Sequence, residues 1–393
     1  MSAKALIAGV GMVKFAKPGK NEMYDVMGAK AAIAALDDAG IPYADVQQAF
    51  AGFVYGNTCS GQTALYSVGM TQIPIINVNN ACASGSSAIF LARQAVLSGQ
   101  VDVALALGFE QMSAGALSVD NDRTPITWRL DAAVNSIRGW DDNAPQAPQY
   151  FGSAGAEYLE KYGGTNELFA RISVKARSHA LRNPYALFSE PLTVEQVLSS
   201  THIFGPLTKL MCCPPTCGAA ATIIVSEAYA RKHGLSRLVE IAGMGLATDG
   251  PYSFESGLMS DVVGGNMARV AAKQAYEQAG IGPEDVDVVE LHDCFAPNEI
   301  ISYEALGLCP EGGSAKFMAD GGNTYGGKIV TNPSGGLLSK GHPLGATGPA
   351  QIAELTWHLR GAAGERQVSN ARIGLQHNVG LGGAGVVTVL KRL

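Results

Sequence analysis

The sequence predicts an α/β protein made of two similar halves stacked on each other. Three observations predict it: an internal repeat, a set of short apolar runs suited to strands buried on both faces, and two small-residue loops that each open a helix. The repeat sets AAIAALDDAGIPYADV (31–46) against AAKQAYEQAGIGPEDV (271–286), with eight of sixteen positions identical at an offset of 240. Four of the identities are alanines, Ala31/Ala271, Ala32/Ala272, Ala35/Ala275 and Ala39/Ala279. The others are Gly40/Gly280, Ile41/Ile281, Asp45/Asp285 and Val46/Val286. Each copy reads as an Ala-rich helix stopped by a glycine, a short turn and the start of a buried strand.

The elements follow in order. MSAKALIAGVGMV reads as a first strand, because one lysine and no cleavage-like site accompany its apolar run. Cys82 and Gly85 lie in a small-residue loop. After it Ala88, Ile89, Leu91, Ala92, Ala95 and Val96 mark one helical face that Gly99 ends. His342 and Gly345 form the weaker echo of that loop at an offset of 260, followed by Ile352, Leu355 and Leu359 and ended by Gly361. The runs VALALGF (103–109), ATIIVS (221–226), VVEL (288–291) and GVVTVL (385–390) are the strands buried on both faces. The expected halves are 1–112 plus 219–230, and 231–393. Residues 113–218, rich in Pro, Asn, Tyr and charge, are expected as an inserted domain over a site. A pseudo-twofold between the halves would bring Cys82 and His342 to one pocket.

Composition narrows the function classes. The apolar fraction is 47% and the charged fraction 16%, as in a heavily buried globular protein. A net charge of −6 without a basic cluster argues against a nucleic-acid partner. No apolar run approaches the ~20 residues that cross a bilayer. The closing KRL only loosely resembles a peroxisomal tripeptide, and the expected location is the cytoplasm, of a bacterium on composition. The seven cysteines, an odd number in a large chain, read as reduced thiols. CCPPTC (212–217) is their one tight cluster. A zinc site there would need a second ligand pair at suitable spacing, and none stands out, so no metal is expected.

Four segments carry candidate chemistry. Cys82 stands two or three residues before a predicted helix, where unpaired amides and the helix dipole favour a thiolate; a buried structural cysteine is the plainer reading. In KGHPLGATGP (340–349) the turn between Gly341 and Pro343 aims His342, a base for a thiol proton or a residue that simply packs in a turn. In ELHDCFAPNE (290–299) a strand ends and releases His292, Asp293 and Cys294. Alternation sends His292 and Cys294 one way and Asp293 the other, and Asp293 reads as the N-cap of the following helix. In LQHNVGLGGAG (375–385) the glycines allow a tight loop whose amides suit an oxyanion, with His377 on the strand entering it; a hairpin turn is the plainer reading. Neither nucleotide fingerprint, strand–GxGxxG–helix or GxxxxGK[ST], is satisfied.

With these residues in place, the chain resembles the thiolase family, and closely its sterol-carrier-protein-X type. The family's Cys-x-Ser loop is matched by Cys82-Ala83-Ser84 and its Gly-His-Pro loop by Gly341-His342-Pro343. Its Asn-Glu-Ala-Phe loop is replaced by His292-Asp293-Cys294-Phe295. Its C-terminal Cys-x-Gly loop reads His377-Asn378-Val379-Gly380, without the cysteine. That double departure marks the sterol-carrier type. The resemblance runs over nearly the whole chain, through ALGFEQMSAGAL, NPYALF, YEALGLCPEGG, NTYGGK and NPSGGLLSKGHPLGATG. Thr216-Cys217-Gly218 departs locally from the family's Ser-Asp-Gly. No sterol-carrier domain follows residue 393, so the chain reads as the thiolase part alone.

The resemblance implies a thiolase fold with a five-layered αβαβα core. It implies a 3-oxoacyl-CoA thiolase that uses CoA and acyl-CoA as substrates, holds no permanent cofactor and forms a homodimer. Cys82 would carry the acyl group, His342 would take its proton, and Cys294 would be the acid/base for the enolate. His292 and His342 would serve the enolate oxygen, and the amides of Cys82 and Gly380 the other oxyanion; His377 belongs to the same catalytic set. The alternatives are a retro-aldolase or other acyltransferase working with a small OB-fold partner, and a non-enzymatic lipid-binding scaffold.

Overall fold

The computed structural model describes residues 4–115, 124–125 and 127–393. Residues 116–123 and 126, part of the stretch expected as an inserted domain, lie outside the described residues, as do 1–3. The strands are β1 (Ala5–Met12), β2 (Gln48–Gly52), β3 (Ile75–Val78), β4 (Val103–Glu110), β5 (His202–Phe204), β6 (Leu207–Thr208), β7 (Gly218–Ser226), β8 (Val239–Ala247), β9 (Val288–Glu290), β10 (Val330–Thr331), β11 (Ile373–Gly380) and β12 (Ala384–Arg392).

Apart from the small hairpin β5–β6, the strands run in the order β10-β9-β11-β12-β8-β1-β7-β4-β2-β3. The order is the same read inward from either end. β1 pairs antiparallel with β7 as β8 does with β12, and β7 pairs antiparallel with β4 as β12 does with β11. β4–β2 and β2–β3 are parallel, as are β11–β9 and β9–β10. Among the described residues the two five-strand sets pair where Leu6 and Ile7 of β1 meet Glu240 and Val239 of β8.

Residue size explains the layers. In β4 Val103, Leu105, Leu107 and Phe109 pack outward, with Ala31, Ala32 and Ala35 of the helix Tyr24–Ala39. Ala104 and Ala106 face inward, into a cluster with Ala88, Ile89 and Ala92 of the helix Ser84–Leu97 and Ile352, Leu355 and Leu359 of the helix Thr347–Leu359. The same inner cluster includes Val386 and Leu390 of β12, while Val387 and Val389 face outward with Ala271 and Ala275 of the helix Gly265–Ala279. Helix, sheet, paired central helices, sheet and helix make the five layers.

The alanines of the repeat are contact positions. A Cβ on Gly9 would stand 2.1 Å from the Ala35 carbonyl oxygen, and one on Gly243 2.1 Å from that of Ala275. Helix and strand touch backbone to backbone in both halves, which only small residues allow. Gly40 and Gly280 end these helices at φ 69° and 62°, each donating to carbonyls of the last turn.

The halves differ most in the connection before the last strand. β11 reaches β12 through residues 381–383, whereas β4 reaches β7 through 111–217. The longer path includes helices Trp128–Arg138, Gln146–Tyr162 and Glu167–Ala180. Tyr150, Phe151 and Phe169 pack with Phe295, Ile300 and Ile301 of the second half, with Phe151 and Phe295 stacked at 4.8 Å. This segment therefore lies over the helix Ala296–Ala305, beside the His292–Cys294 segment.

Candidate active site

Cys82 sits in a turn held by its own small polar residues. Asn80 N–H donates to Ser84 Oγ at 2.9 Å, and Ser84 Oγ–H donates to the Ala81 carbonyl at 2.7 Å. Ala81 adopts φ 48°, a left-handed conformation rare outside glycine, so the turn is strained at the residue before the thiol. Two residues past Ser84, Ser86 Oγ accepts from Gln376 Nε2 and Asn378 Nδ2 of β11, tying the turn to the other half.

His342 is oriented on both sides. Its backbone N–H donates to Thr216 Oγ1 at 3.1 Å, and that hydroxyl donates to the Pro214 carbonyl. Thr216 thus supports the histidine turn from within the Thr216-Cys217-Gly218 segment. His342 Nδ1 lies 2.8 Å from Thr347 Oγ1, and Thr347 Oγ1–H donates to the Pro343 carbonyl. With the threonine proton directed to that carbonyl, Nδ1 is the donor. Nε2 is left unprotonated, and it is buried without a partner.

The fold brings three of the expected residues together. The Cys82 sulfur and one ring nitrogen each of His292 and His342 all lie within 4.8 Å of one another. The two imidazoles meet edge to face, centroids 5.0 Å apart. Cys294 lies on the same side, near enough to Cys82 and Cys213 for each to push its thiol further up after burial has raised it. Cys213 N–H donates to the Cys294 carbonyl at 2.9 Å, so the 212–217 segment braces this strand end.

Three buried links stitch the 290–294 segment to the turn that presents His342. Leu291 N–H donates to Asn332 Oδ1. Glu290 accepts from Ser334 N–H and Oγ–H, and its carboxylate stands 3.5 Å from Lys340 Nζ. Asp293 accepts from Leu337 N–H at 2.7 Å. Asp293 therefore caps the helix Gly336–Ser339, not the helix that follows it as its sequence position predicts; the following helix begins at Ala296 with proline in its first turn. From the other half Glu110, buried at the end of β4, accepts from Val54, Tyr55 and Gly345 N–H.

Burial sets the protonation states. Cys82 is pushed up to about 12, first by desolvation and then by Glu110; its own amide and that of Leu381 act in the opposite direction. The resting residue is a thiol, not the dipole-stabilised thiolate expected at a helix start, because desolvation outweighs the amides. Burial lowers His342 to about 3, and burial with help from His342 and His377 lowers His292 well below the usual imidazole range. A neutral thiol thus faces neutral imidazoles.

Two expected positions differ. The amide near the Cys82 sulfur is that of Leu381, one residue beyond Gly380. Gly380 makes the close approach instead: a Cβ there would stand 2.1 Å from the Asn80 carbonyl. His377 shares the outward face of β11 with Leu375 and Val379, opposite Gln376 and Asn378, which reach Ser86. Its ring lines a small enclosed space with Asn298 and Ser302, both ring nitrogens unpartnered. Thr347, Glu110 and Leu381 were missed by residue chemistry. Thr347 alone carried a signal, a hydroxyl at the first turn of the helix after Gly-His-Pro.

Comparison with known proteins agrees with this architecture. The family model for the thiolase N-terminal domain matches residues 6–228, and that for the thiolase C-terminal domain-like region matches 253–392. Sterol carrier protein 2 of Bos taurus is 52% identical over 393 residues, covering 99% of this chain and 72% of that protein. Benzoylsuccinyl-CoA thiolase subunit BbsB of Thauera aromatica is 39% identical, covering 97% and 96%. The solved Ltp2-ChsH2(DUF35) aldolase superposes with a TM-score of 0.83 at 25% identity, covering 99% of this chain and 98% of that one. With both family models matched and half of all residues shared over its length, the chain is an acyltransferase enzyme that belongs to the thiolase family.

Proposed function

We propose that the chain cleaves 3-oxoacyl-CoA with CoA, to acetyl- or propionyl-CoA and a shortened acyl-CoA, through an acyl group carried on Cys82. One observation carries the reading: a His342 Nε2 without a partner among the described residues, in the group that gathers His342, His292 and the Cys82 sulfur within 4.8 Å. His342 takes the thiol proton as Cys82 attacks the 3-keto carbon, since burial leaves no thiolate at rest. The C2–C3 bond breaks, and the enolate takes a proton from Cys294, help worth roughly 10²–10⁴ in rate. His292 and His342 serve the enolate oxygen. The amides of Cys82 and Leu381 serve the oxyanion on the attacked carbonyl, about 3 kcal/mol each. His377, facing away from Cys82, has no direct part. CoA–SH then gives its proton to the Cys294 thiolate and attacks the acyl carbonyl; the bond from that carbon to the Cys82 sulfur breaks, and His342 returns its proton to Cys82.

The test separates the two thiols. Cys82→Ala removes the acyl-enzyme mass adduct. Cys294→Ala keeps acylation but stops deuterium exchange at the α-carbon of acetyl-CoA; exchange at the wild-type rate would exclude Cys294 as the acid/base.

A second reading, cleavage of a 3-hydroxyacyl-CoA beside a small OB-fold partner, is favoured by the likeness to the Ltp2-ChsH2(DUF35) aldolase. Comparing 3-hydroxyacyl-CoA with 3-oxoacyl-CoA as substrate decides between them. The quaternary state is part of the proposal. β3 ends the sheet with one neighbour, and Tyr66, Met70 and Ile76 stand exposed beside it, a surface suited to a second copy of the chain. Ile76→Arg then yields monomer by light scattering. The expected location is the cytoplasm; among the described residues no helix is long and apolar enough to cross a membrane.

A further inference from the structure

The group formed by Cys82, His292 and His342 has the chemistry of a cation site. Its three donor atoms lie within 4.8 Å of one another, and all three residues are buried. Among the described residues no other set of three or more His, Cys, Asp or Glu side chains converges so closely, the 212–217 cysteines included. Among the described residues His342 Nε2 and His292 Nδ1 have no hydrogen-bond partner. His342 already donates its other ring N–H to Thr347, the outer contact that fixes the tautomer of a metal-binding histidine.

One sulfur and two imidazole nitrogens suit zinc, at about 2.3 Å for sulfur and 2.0–2.1 Å for nitrogen. Donors around such an ion stand roughly 3.3–3.7 Å apart by that geometry, so side-chain rotations of about 1 Å close the set. The site is buried, and it has no carboxylate among its three donors to favour magnesium or calcium.

We propose that Cys82, His292 and His342 together bind one soft divalent cation of the zinc class, and that the bound ion shuts the site. On binding, the Cys82 S–H bond breaks, a sulfur–zinc bond forms and the proton leaves to buffer; no group is oxidised or reduced. Water completes the tetrahedron. The ion takes up the thiol and the base at once, so an occupied site accepts no acyl group. That consequence rests on the reading of Cys82 as acyl carrier, but the binding is measured without turnover.

The test uses the full chain stripped with a chelator. Zinc is titrated against a chromophoric indicator, and cobalt(II) is added separately as a spectroscopic probe. One equivalent should bind, with a thiolate-to-cobalt charge-transfer band and tetrahedral ligand-field bands. Zinc should slow iodoacetamide labelling of Cys82 at least tenfold, read by peptide mass and reversed by chelator. Cys82→Ala, His292→Ala and His342→Ala should each weaken binding by more than about 100-fold, and Cys212→Ser should leave it unchanged. The proposal is overturned if the equivalent persists in Cys82→Ala, if Cys212→Ser is the variant that loses it, or if zinc leaves Cys82 labelling at its original rate. The cobalt spectrum and the labelling use wild-type protein, so a variant that fails to fold does not shelter the proposal. Zinc that binds as described without stopping turnover supports the binding but overturns the shut-off, and with it the acyl-carrier reading on which the shut-off rests. Acylation lost in Cys82→Ala with no zinc bound by the wild type does the reverse.

Discussion

Asp293 accepts the backbone N–H of Leu337 at 2.7 Å across 44 residues of sequence, and that bond holds the His292–Cys294 segment to the turn presenting His342. Gly336 leaves room for it, since a Cβ there would stand 2.2 Å from the Asp293 carboxylate. Asp293→Asn replaces an acceptor by an amide donor facing backbone N–H groups. The expected cost is about 1–3 kcal/mol of stability, as for a buried donor left unpaired. Thiolysis should lose kcat with little change in KM for CoA, because the residue positions the site and touches no substrate. Denaturant unfolding and steady-state kinetics measure the two effects. Unchanged kcat would show that the two segments hold together without this bond.

Thr347 fixes the tautomer of His342. Thr347→Val removes the acceptor for Nδ1–H, so the proton is free to sit on Nε2 and spoil the base. A loss of one hydrogen bond of about 1 kcal/mol predicts a kcat roughly five- to tenfold lower. Thr347→Ser keeps the hydroxyl and should recover most of the rate. Equal activity in the valine and serine variants would remove the threonine from the account.

Lys340 and Glu290 are both buried and form an ion pair at 3.5 Å. Lys340→Met leaves a buried carboxylate without its cation, at about 3–5 kcal/mol. Glu290→Gln combined with Lys340→Met removes both charges and should recover part of that loss. Denaturant midpoints of the three proteins test it; a double variant as unstable as Lys340→Met would place the loss in packing.

Acid stability follows from the histidines. Burial lowers His179, His342 and His377 to about 3 and His358 to about 4, and His292 is lowered as well. In the unfolded chain these five groups take protons near pH 6.5. The unfolded state therefore binds more protons below that pH, and stability present above it is lost as pH falls. Burial raises the Glu110 and Asp293 carboxyls to about 7, and these act oppositely between about pH 4 and 7; Glu290, also raised by burial, acts in the same direction. The five imidazoles outnumber the raised carboxyls, so unfolding takes up protons on balance and stability falls as pH falls, by about 1.4 kcal/mol per pH unit for each net proton. Unfolding free energies from pH 7 to 4.5 measure it. A flat profile would mean that the buried imidazoles are charged.

The local patterns were legible in the sequence for physical reasons. A helix that touches a strand backbone to backbone must place alanine over glycine, so Ala35 over Gly9 and Ala275 over Gly243 leave a repeat that spacing alone reveals. Strands buried on both faces must be apolar throughout, so β4, β7 and β12 show as unbroken runs. Cys82, His292, Cys294 and His342 stand out because reactive side chains are rare on small-residue turns at the ends of such elements. What needed the tertiary structure were relations between segments distant in sequence. Pleating turns His377 away from Cys82 although both lie in motif loops. Loop register puts the Leu381 amide, not that of Gly380, near the sulfur. The partner of Asp293 lies 44 residues ahead rather than in the next turn. The protonation of Cys82 rests on how much water the assembled loops exclude. A sequence states which groups a turn carries; which face they take, what they meet and how dry they become is decided only when both halves close around them.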